Sequence, residues 1–370
     1  MKVVDLDSHS EPRPQDFTIE PEYSHIRPRT IVNAKGDRQT IFDNKVMLRV
    51  SKEEQLRGRR TITANWKASR YDGGARYGIV TEAGIDYQFI SAGVGVTTFC
   101  YIDAKVGASF CRAYNNFLYN KFMKPYPKTF SGLPQLPLQD FGESIKELER
   151  CVKDLGMRTV YLPTNWNGID MADPYWWNFY DKVRDLGITG IIVHIETLSA
   201  DSKWVGKERL KILGGDGTRG RRILSHPFEY CTTITNLIFT GMMDNFPDFR
   251  FAFLEADAEF AIVLKHRIEE NLDNVPYLKD MLSHPLEWYF DRLYFLVEGE
   301  MFEHNAKRLR QAIDEFGEDH LFFGSDMPHT DGLDNIAAVA EFKKMDGLSD
   351  KVKEKILGGN AFRIIGDSVM

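Results

Sequence analysis

Apolar residues along this chain follow two alternating patterns, short continuous runs and longer stretches with helical spacing. Residues 141–155 carry apolar side chains at every third or fourth position and are followed by Gly156, which predicts an amphipathic helix with a glycine end. Residues 173–186, before Gly187, and residues 70–85 show the same pattern. The short continuous runs lie between such helices and are typical of strands that are buried on both faces.

Eight segments have the composition and length of strands. The first ends near Asp7 and His9, and the others are residues 85–90, 133–138, 158–163, 188–196, 249–255, 292–298 and 321–326. Strands that alternate with helices through short turns indicate parallel βαβ units. We therefore expect an α/β fold, a (β/α)8 TIM barrel in which residues 1–370 form a single domain. Residues 13–70 are polar, proline-bearing and aperiodic, so we interpret them as a long loop-rich insertion after strand 1 that caps the barrel mouth.

The composition narrows the class of protein. The 370 residues are 43% hydrophobic and 27% charged, which is ordinary for a soluble globular protein with a full core. The formal net charge of −7 gives no basic field for nucleic acid or for an anionic membrane surface. No apolar run approaches the length of a membrane span and no export signal is recognised. The four cysteines lack metal-site or disulfide spacing, so the sequence predicts a reducing, cytoplasmic location.

Residues with metal-ligand chemistry stand at the ends of several predicted strands. Asp7 and His9 end the first strand two residues apart, so their side chains point the same way in an extended chain. His194 lies near the end of the fifth strand, Glu255 ends the sixth and Asp326 ends the eighth. Each residue alone can equally be a buried polar group whose hydrogen bonds are made within the protein, or a helix cap. Because barrel active sites lie at the C-terminal strand ends, the five together predict a divalent metal centre.

Two further histidines stand close to this rim in the sequence. His226 opens a predicted helix and is a candidate ligand and catalytic residue, and His329 follows Asp326 by three residues and is a candidate catalytic residue. With Glu255 and the others, enough donors are present for two ions about 3.5–4 Å apart. Carboxylates are hard ligands that favour manganese or iron, and zinc is also compatible with the set. The expected cofactor is therefore one or two divalent ions of Zn, Mn or Fe.

Five stretches of the sequence form a recognisable set. They are Asp-Ser-His at 7–9, Val-His at 193–194, the run 237–255, Gly-Ser-Asp-Met-Pro-His at 324–329 and Gly-Asn-Ala-Phe-Arg at 359–363. Together they resemble the amidohydrolase superfamily, in its amidohydrolase-related branch. That branch includes the aminocarboxymuconate-semialdehyde and resorcylate-type decarboxylases, and the resemblance extends over residues 2–366.

The resemblance implies a metal held by Asp7, His9, His194 and Asp326, with a metal-activated water as the nucleophile. It also implies that Asp326 is a ligand, a general base, or both. Two positions depart from the pattern of the relatives, and the additional histidines His226 and His329 are a third departure. Asp7 stands where many of them have a histidine, and Glu255 stands where the decarboxylase relatives have a catalytic histidine. A carboxylate at that second position can act as a base or bind a second ion, but it is not the same acid as an imidazole.

The leading functional prediction is a metal-dependent hydrolase that attacks an amide, imine or activated carbonyl of a small carboxylate-bearing or aromatic molecule. Asp326 or Glu255 would move the proton. Three alternatives stay open: a non-oxidative decarboxylase, a binuclear Fe or Mn monooxygenase, and a non-catalytic metal-binding partner of an active paralogue. A homo-oligomer or a hetero-oligomer with a paralogue is expected, because the insertion and the aromatic segment 175–177 offer interface surface. Nucleic acid and membranes are not expected as partners.

Overall fold

The computed structural model shows strands and helices that alternate along the chain. It describes residues 2–16, 18–26, 29–42, 45–50, 52, 64–93, 103–195, 224, 226–255, 258–298, 306–329 and 335–366. The strands are β1 Val4–Asp5, β2 His9–Ser10, β3 Arg29–Val32, β4 Arg38–Phe42, β5 Lys45–Val50, β6 Tyr87–Ala92, β7 Phe130–Gly132, β8 Val160–Leu162, β9 Asn165–Trp166, β10 Ile169–Asp170, β11 Gly190–Val193, β12 Arg250–Phe253, β13 Leu293–Glu298 and β14 Leu321–Gly324.

Within the described residues, α-helices lie between most of the successive barrel strands. They are α1 Ala64–Ala68, α2 Gly73–Glu82, α3 Ala104–Leu118, α4 Phe141–Lys153, α5 Trp177–Asp185, α6 His226–Phe239, α7 Met242–Asn245, α8 Glu259–Asn274, α9 Pro276–Lys279, α10 Leu286–Phe290, α11 Ala306–Phe316, α12 Asn335–Lys344, α13 Asp350–Glu354 and α14 Asn360–Ile365. As far as the described residues show, none of these helices is long and apolar enough to cross a membrane.

Parallel strands form the barrel that the sequence predicts. On one side β8, β11, β12, β13 and β14 pair in that spatial order, each parallel to the next. On the other side β6 pairs in parallel with β1, β2 and β7. Since β1 and β2 are two pieces of the first strand, these pairings supply the eight barrel positions. The predicted (β/α)8 TIM barrel is confirmed.

The first and last barrel strands meet at a seam that brings two distant parts of the chain together. Ser8 forms a parallel bridge with Met327. The amide of His9 donates to the carbonyl oxygen of Met327 at 2.6 Å, and the amide of Asp326 donates to that of Asp7 at 2.8 Å. Backbone pairing therefore fixes the register of these two segments, and with it the relative position of their side chains.

Two apolar layers flank the barrel strands, because successive side chains of a strand point to opposite faces. Tyr161, Ile192 and Phe322 belong to a cluster with members next to or within every barrel strand, which fills the interior. Their neighbours along the strands, such as Ile191 and Phe323, belong to the larger cluster that includes the buried faces of the helices. The barrel strands are therefore packed by apolar side chains on both faces, which holds their C-terminal ends in place.

The third barrel strand lies earlier in the chain than the sequence predicts. The prediction is 133–138, whereas the observed strand is Phe130–Gly132, which pairs with β6. Pro134 and Pro137 explain the difference, because a proline has no amide hydrogen to donate to a sheet. The predicted fifth strand extends to residue 196, which lies outside the described residues.

The insertion, predicted to be loop-rich, also contains a small sheet. Within residues 13–70, β3, β4 and β5 form three antiparallel strands. Asn33 Oδ1 makes the turn between β3 and β4 by accepting hydrogen bonds from the amides of Lys35 and Asp37, both at 2.9 Å. Gly36 in this turn has a φ of +83°, which glycine adopts without strain. The sequence signal is a glycine-bearing turn between two runs of β-branched residues.

The C-terminal end of the insertion contacts the barrel rim. Trp66 Nε1 and Arg70 Nη2 both donate to the carbonyl oxygen of Pro328 at 3.2 Å. Arg70 also forms an ion pair of 2.6 Å with Glu11. Because His329 directly follows Pro328, these contacts restrain the loop that carries this histidine.

Candidate metal centre

The turns after four barrel strands bring the predicted site residues to one rim. Each of these residues lies in or just beyond the C-terminal end of a strand, or opens the helix or loop that follows. The structure places their side chains in one cluster of close contacts, formed by Asp7, His9, His194, His226, Glu255, Asp326 and His329.

The most buried part of the cluster is a group of three possible ligands, Asp7, His9 and His194. One donor atom of each lies within 4.8 Å of the others. Asp7 is 0% exposed, His9 2% and His194 8%. Within the described residues, neither carboxylate oxygen of Asp7 nor Nε2 of either histidine has a hydrogen-bond partner. Since buried polar atoms are almost always satisfied, these side chains fit a divalent metal ion as the missing partner.

Hydrogen bonds on the far side of each ring orient the two imidazoles. His194 Nδ1 is 2.8 Å from the carbonyl oxygen of Ile195, and His9 Nδ1 is 2.8 Å from Ser91 Oγ. A carbonyl oxygen can only accept, so in the neutral His194 ring Nδ1 carries the proton and Nε2 presents its lone pair to the cluster. Partners of this kind fix the ring orientation of metal-binding histidines.

Glu255 lies among all four histidines of the cluster. Its Oε1 is 3.4 Å from His194 Nε2 and 3.7 Å from His9 Nε2. The same oxygen is 3.9 Å from His329 Nδ1, and Oε2 is 3.8 Å from His226 Nδ1. Metal–ligand bonds to nitrogen and oxygen are about 2.0–2.2 Å, so two atoms bound to one ion lie at most about 4 Å apart. These separations therefore suit shared ions better than direct hydrogen bonds.

Asp326 and His329 form a tight pair at the same rim. His329 Nδ1 is 2.6 Å from Asp326 Oδ1, which is also 3.1 Å from His9 Nε2. The His329 ring stacks on that of His9 with ring centroids 4.5 Å apart. With a side chain that is 26% exposed, His329 is the most accessible histidine of the cluster.

Glu255 and Asp326 share an unusual backbone conformation. Their φ angles are +56° and +51°, in the left-handed region that residues other than glycine adopt at a cost of about 1–3 kcal/mol. Each residue follows the end of a barrel strand by two positions. Strained positions of this kind concentrate at functional sites, which supports a functional role for both carboxylates.

The pKa values in the cluster are strongly shifted. Burial, together with the carboxylates of Asp326 and Glu255, raises the pKa of Asp7 to about 7. Burial opposes a charge on His9, yet the adjoining carboxylates of Asp326 and Glu255 raise the pKa of His9 well above its usual value. Burial also opposes a charge on Asp326, but His329 and His9 hold the pKa of Asp326 below its usual range. Protons and cations compete for these atoms, so a divalent ion would release protons on binding.

Comparison with known proteins identifies the family. The family model described as amidohydrolase matches residues 66–366. The chain belongs to this amidohydrolase family. It is 26% identical over 242 residues to the 2-amino-3-carboxymuconate-6-semialdehyde decarboxylase of Dictyostelium discoideum, a match that spans 65% of this chain and 62% of that protein. It is 24% identical over 309 residues to the gamma-resorcylate decarboxylase of Polaromonas sp. strain JS666, which spans 77% of this chain and 85% of that protein.

A solved structure extends the likeness over the whole chain. The dihydroxybenzoic acid decarboxylase of Polaromonas sp. JS666, with bound manganese and the inhibitor 2-nitroresorcinol, superposes with a TM-score of 0.68. The sequence identity is 18%, and the superposition covers 98% of this chain and 96% of that one. At this identity the likeness shows the fold alone. The resemblance to the amidohydrolase-related branch is confirmed.

A buried network supports the ligands of this amidohydrolase-family protein and has only a weak signal in the sequence. Asp5 accepts hydrogen bonds from Ser325 Oγ at 2.6 Å and Gln88 Nε2 at 2.7 Å. The fully buried Arg76 donates to Gln88 Oε1 at 3.2 Å and to the carbonyl oxygen of His9. Burial lowers the pKa of Arg76 to about 10. In the sequence, Asp5 and Arg76 are recognisable only as charged residues within apolar segments, the first strand and helix α2. This pattern does not reveal which residues they contact.

Proposed function

We propose that this protein is a metal-dependent, non-oxidative decarboxylase of a small carboxylate-bearing substrate. The supporting observation is the buried group of Asp7, His9 and His194, whose donor atoms lack hydrogen bonds within the described residues, in a chain related to two decarboxylases. Both relatives take their names from small carboxylic acids. Hydrolysis, the leading prediction from the sequence, has weaker support because neither of these relatives is a hydrolase by name.

The metal would be held by Asp7, His9, His194 and Asp326. A bound divalent ion supplies a Lewis acid that holds oxygen atoms of the substrate and stabilises negative charge near the reacting carbon. All four residues are buried, so an ion that they hold would be shielded from bulk water. This exclusion strengthens the electrostatic interactions within the site.

The proton that completes the reaction would come from a histidine. Decarboxylation breaks the bond between the carboxylate carbon and its neighbour, and the electron pair stays on the neighbouring carbon until a proton arrives there. His226 and His329 lie outside the proposed ligand set and are 3.8 Å and 3.9 Å from oxygens of Glu255. An imidazole can give a proton near neutral pH.

Product analysis with the full chain, in parallel samples with and without oxygen, tests this function. The protein is stripped of metal with a chelator, reloaded separately with Zn²⁺, Mn²⁺ or Fe²⁺, and incubated with γ-resorcylate, related hydroxybenzoates and 2-amino-3-carboxymuconate-6-semialdehyde. We expect carbon dioxide in an amount equal to that of the decarboxylated product, and no consumption of oxygen. The release of carbon dioxide and the formation of product should disappear in the chelator-treated protein and return when metal is added.

Each alternative gives a different result in the same assay. Product that forms only with oxygen would contradict the decarboxylase and support the monooxygenase. Cleavage of an amide or imine without carbon dioxide would support the hydrolase. Turnover that requires an added paralogous subunit would support the non-catalytic partner. The relatives named above include no oxygenase, so that alternative stays a prediction from the sequence.

A further inference from the structure

We propose that Glu255, Asp326 and His329 form a second cation position, so that the pocket holds two divalent ions with both carboxylates between them. The starting observation is that the possible ligands fall into two overlapping groups. One group is Asp7, His9 and His194, and the other is His9, Glu255, Asp326 and His329, each with donor atoms within 4.8 Å of one another.

Only His9 is common to the two groups, and it can serve only one ion. Its Nδ1 is engaged with Ser91 Oγ at 2.8 Å, so only Nε2 faces the cluster. If Nε2 binds an ion together with Asp7 and His194, the second group still keeps two carboxylates and one imidazole. Three such donors are a sufficient protein contribution to a divalent site that also has open positions.

The two carboxylates lie where they can serve both ions. Asp326 Oδ1 is 3.1 Å from His9 Nε2 on one side and 2.6 Å from His329 Nδ1 on the other. Glu255 Oε1 is 3.4 Å from His194 Nε2 and 3.9 Å from His329 Nδ1. Each carboxylate therefore reaches imidazoles of both groups. A carboxylate placed in this way can bridge ions about 3.5–4 Å apart.

The balance of charge also favours two ions. Asp7, Glu255 and Asp326 bring three carboxylates into a buried space, and the imidazoles are neutral when they bind metal. One divalent ion leaves a negative excess, which is costly in a buried site and repels a carboxylate substrate. Two divalent ions leave a single positive charge. A site of this charge attracts an anionic substrate.

The backbone at the two shared carboxylates gives further support. Within the described residues, three residues other than glycine have a positive φ, and Glu255 and Asp326 are two of them. Such conformations persist where the surrounding structure imposes them. Both turns here bring a carboxylate into the space between the two groups of donors. The assignment leaves His226, 3.8 Å from Glu255 Oε2, as the histidine that can move a proton.

Metal counting on the full chain tests the proposal. Metal-free protein is titrated with Mn²⁺ under anaerobic conditions, the bound metal is measured by mass spectrometry, and low-temperature electron paramagnetic resonance is recorded. We expect two ions per chain and the spectrum of a magnetically coupled pair. Glu255→Gln and His329→Asn should each bind one ion per chain, with the spectrum of an isolated ion. The affinity for the second ion should fall at least tenfold in both.

Matched variants outside the cluster serve as controls. Glu315→Gln removes a carboxylate that pairs with Lys265, and His320→Asn removes a histidine that bonds the Leu293 carbonyl. Both variants should keep two ions. Saturation of the wild type at one isolated ion, or a coupled pair in Glu255→Gln, would overturn the proposal. The count does not depend on the reaction, so a protein with two ions and no carbon dioxide release would contradict the proposed function alone.

Discussion

The Tyr230 hydroxyl donates a 2.6 Å hydrogen bond to the carbonyl oxygen of Leu254, the residue directly before Glu255. The same hydroxyl accepts a 3.1 Å hydrogen bond from the amide of Ile195, which directly follows His194. One fully buried oxygen on helix α6 therefore joins the two strand ends that present these site residues. This arrangement makes Tyr230 a positioning residue for the cluster.

Tyr230→Phe should weaken metal binding about tenfold, because the two strand ends lose their common restraint. Tyr180→Phe is the matched control, since Tyr180 is equally buried and donates at 2.8 Å to the carbonyl oxygen of Met171, away from the cluster. Both changes should lower the free energy of unfolding by about 1–3 kcal/mol. Metal titration and denaturant unfolding measure the two effects. Equal metal affinities in the two variants would contradict the role given to Tyr230.

Ser91→Ala should reduce metal affinity by about 10–100-fold, because the His9 ring loses the partner that fixes its orientation. Ser8→Ala is a close control, since Ser8 Oγ donates at 2.7 Å to the carbonyl oxygen of Phe89 and has no hydrogen bond to His9 in the described structure. Isothermal titration of metal-free protein with Mn²⁺ compares the two. If Ser8→Ala loses as much affinity as Ser91→Ala, general loosening of the strand explains the effect.

Replacement of His194 and Asp326 together by asparagine should remove the bound metal and lower the rate by about a thousandfold or more, since a metal ion supplies several kcal/mol of transition-state stabilisation. His320→Asn should keep both metal and activity. The check is turnover and metal content on the same samples. Full activity in the double variant would exclude these two residues from the site.

His226→Asn should lower kcat by about 10²–10⁴-fold, the usual contribution of a general acid, while the metal content is unchanged. His329→Asn should instead lose one ion. Pre-steady-state kinetics in H₂O and D₂O would then show whether proton transfer limits the rate in His226→Asn. Unchanged kcat in that variant would move the proton-donating role to another residue.

Glu315 offers a test of electrostatics away from the cluster. The hydrogen bond from Lys265, at 2.7 Å, lowers the pKa of Glu315 despite partial burial. A carboxylate with a lowered pKa stabilises the fold above its unfolded pKa and loses this contribution as the pH falls through the folded pKa. Glu315→Gln should therefore cost at most about 1 kcal/mol at pH 7. The difference from the wild type should decline below about pH 4, as followed by thermal unfolding.

The parts of the site that could be predicted from the sequence are those governed by local rules. Asp7, Glu255 and Asp326 follow strand-like runs, and parallel strands in a barrel bring their C-terminal ends together. The contact of Arg76 with the His9 carbonyl and the bond of Tyr230 to Leu254 depend instead on how helices pack against strands. No spacing along the chain encodes those contacts.

The fold was predictable to a similar depth. Helix α4 begins at residue 141, as predicted. Its amphipathic stripe and the glycine that follows it are both visible in the sequence, so this helix could be located from local information. The third strand lies before Pro134, since the composition of 133–138 suits a strand but its prolines cannot pair. In the insertion, the short strands β3, β4 and β5 pair with one another, and runs of four to six residues are too short to show a clear alternation of apolar and polar positions.

The seam between Ser8 and Met327 has a consequence for folding. Asp7 and Asp326 stand on opposite sides of this seam, so an ion bound by both would crosslink two segments that are more than 300 positions apart in the chain. Closure of such a long loop is entropically costly. Each tenfold excess of free metal over its dissociation constant adds about 1.4 kcal/mol to the closed form. A higher concentration of free metal would therefore increase the stability of the closed barrel.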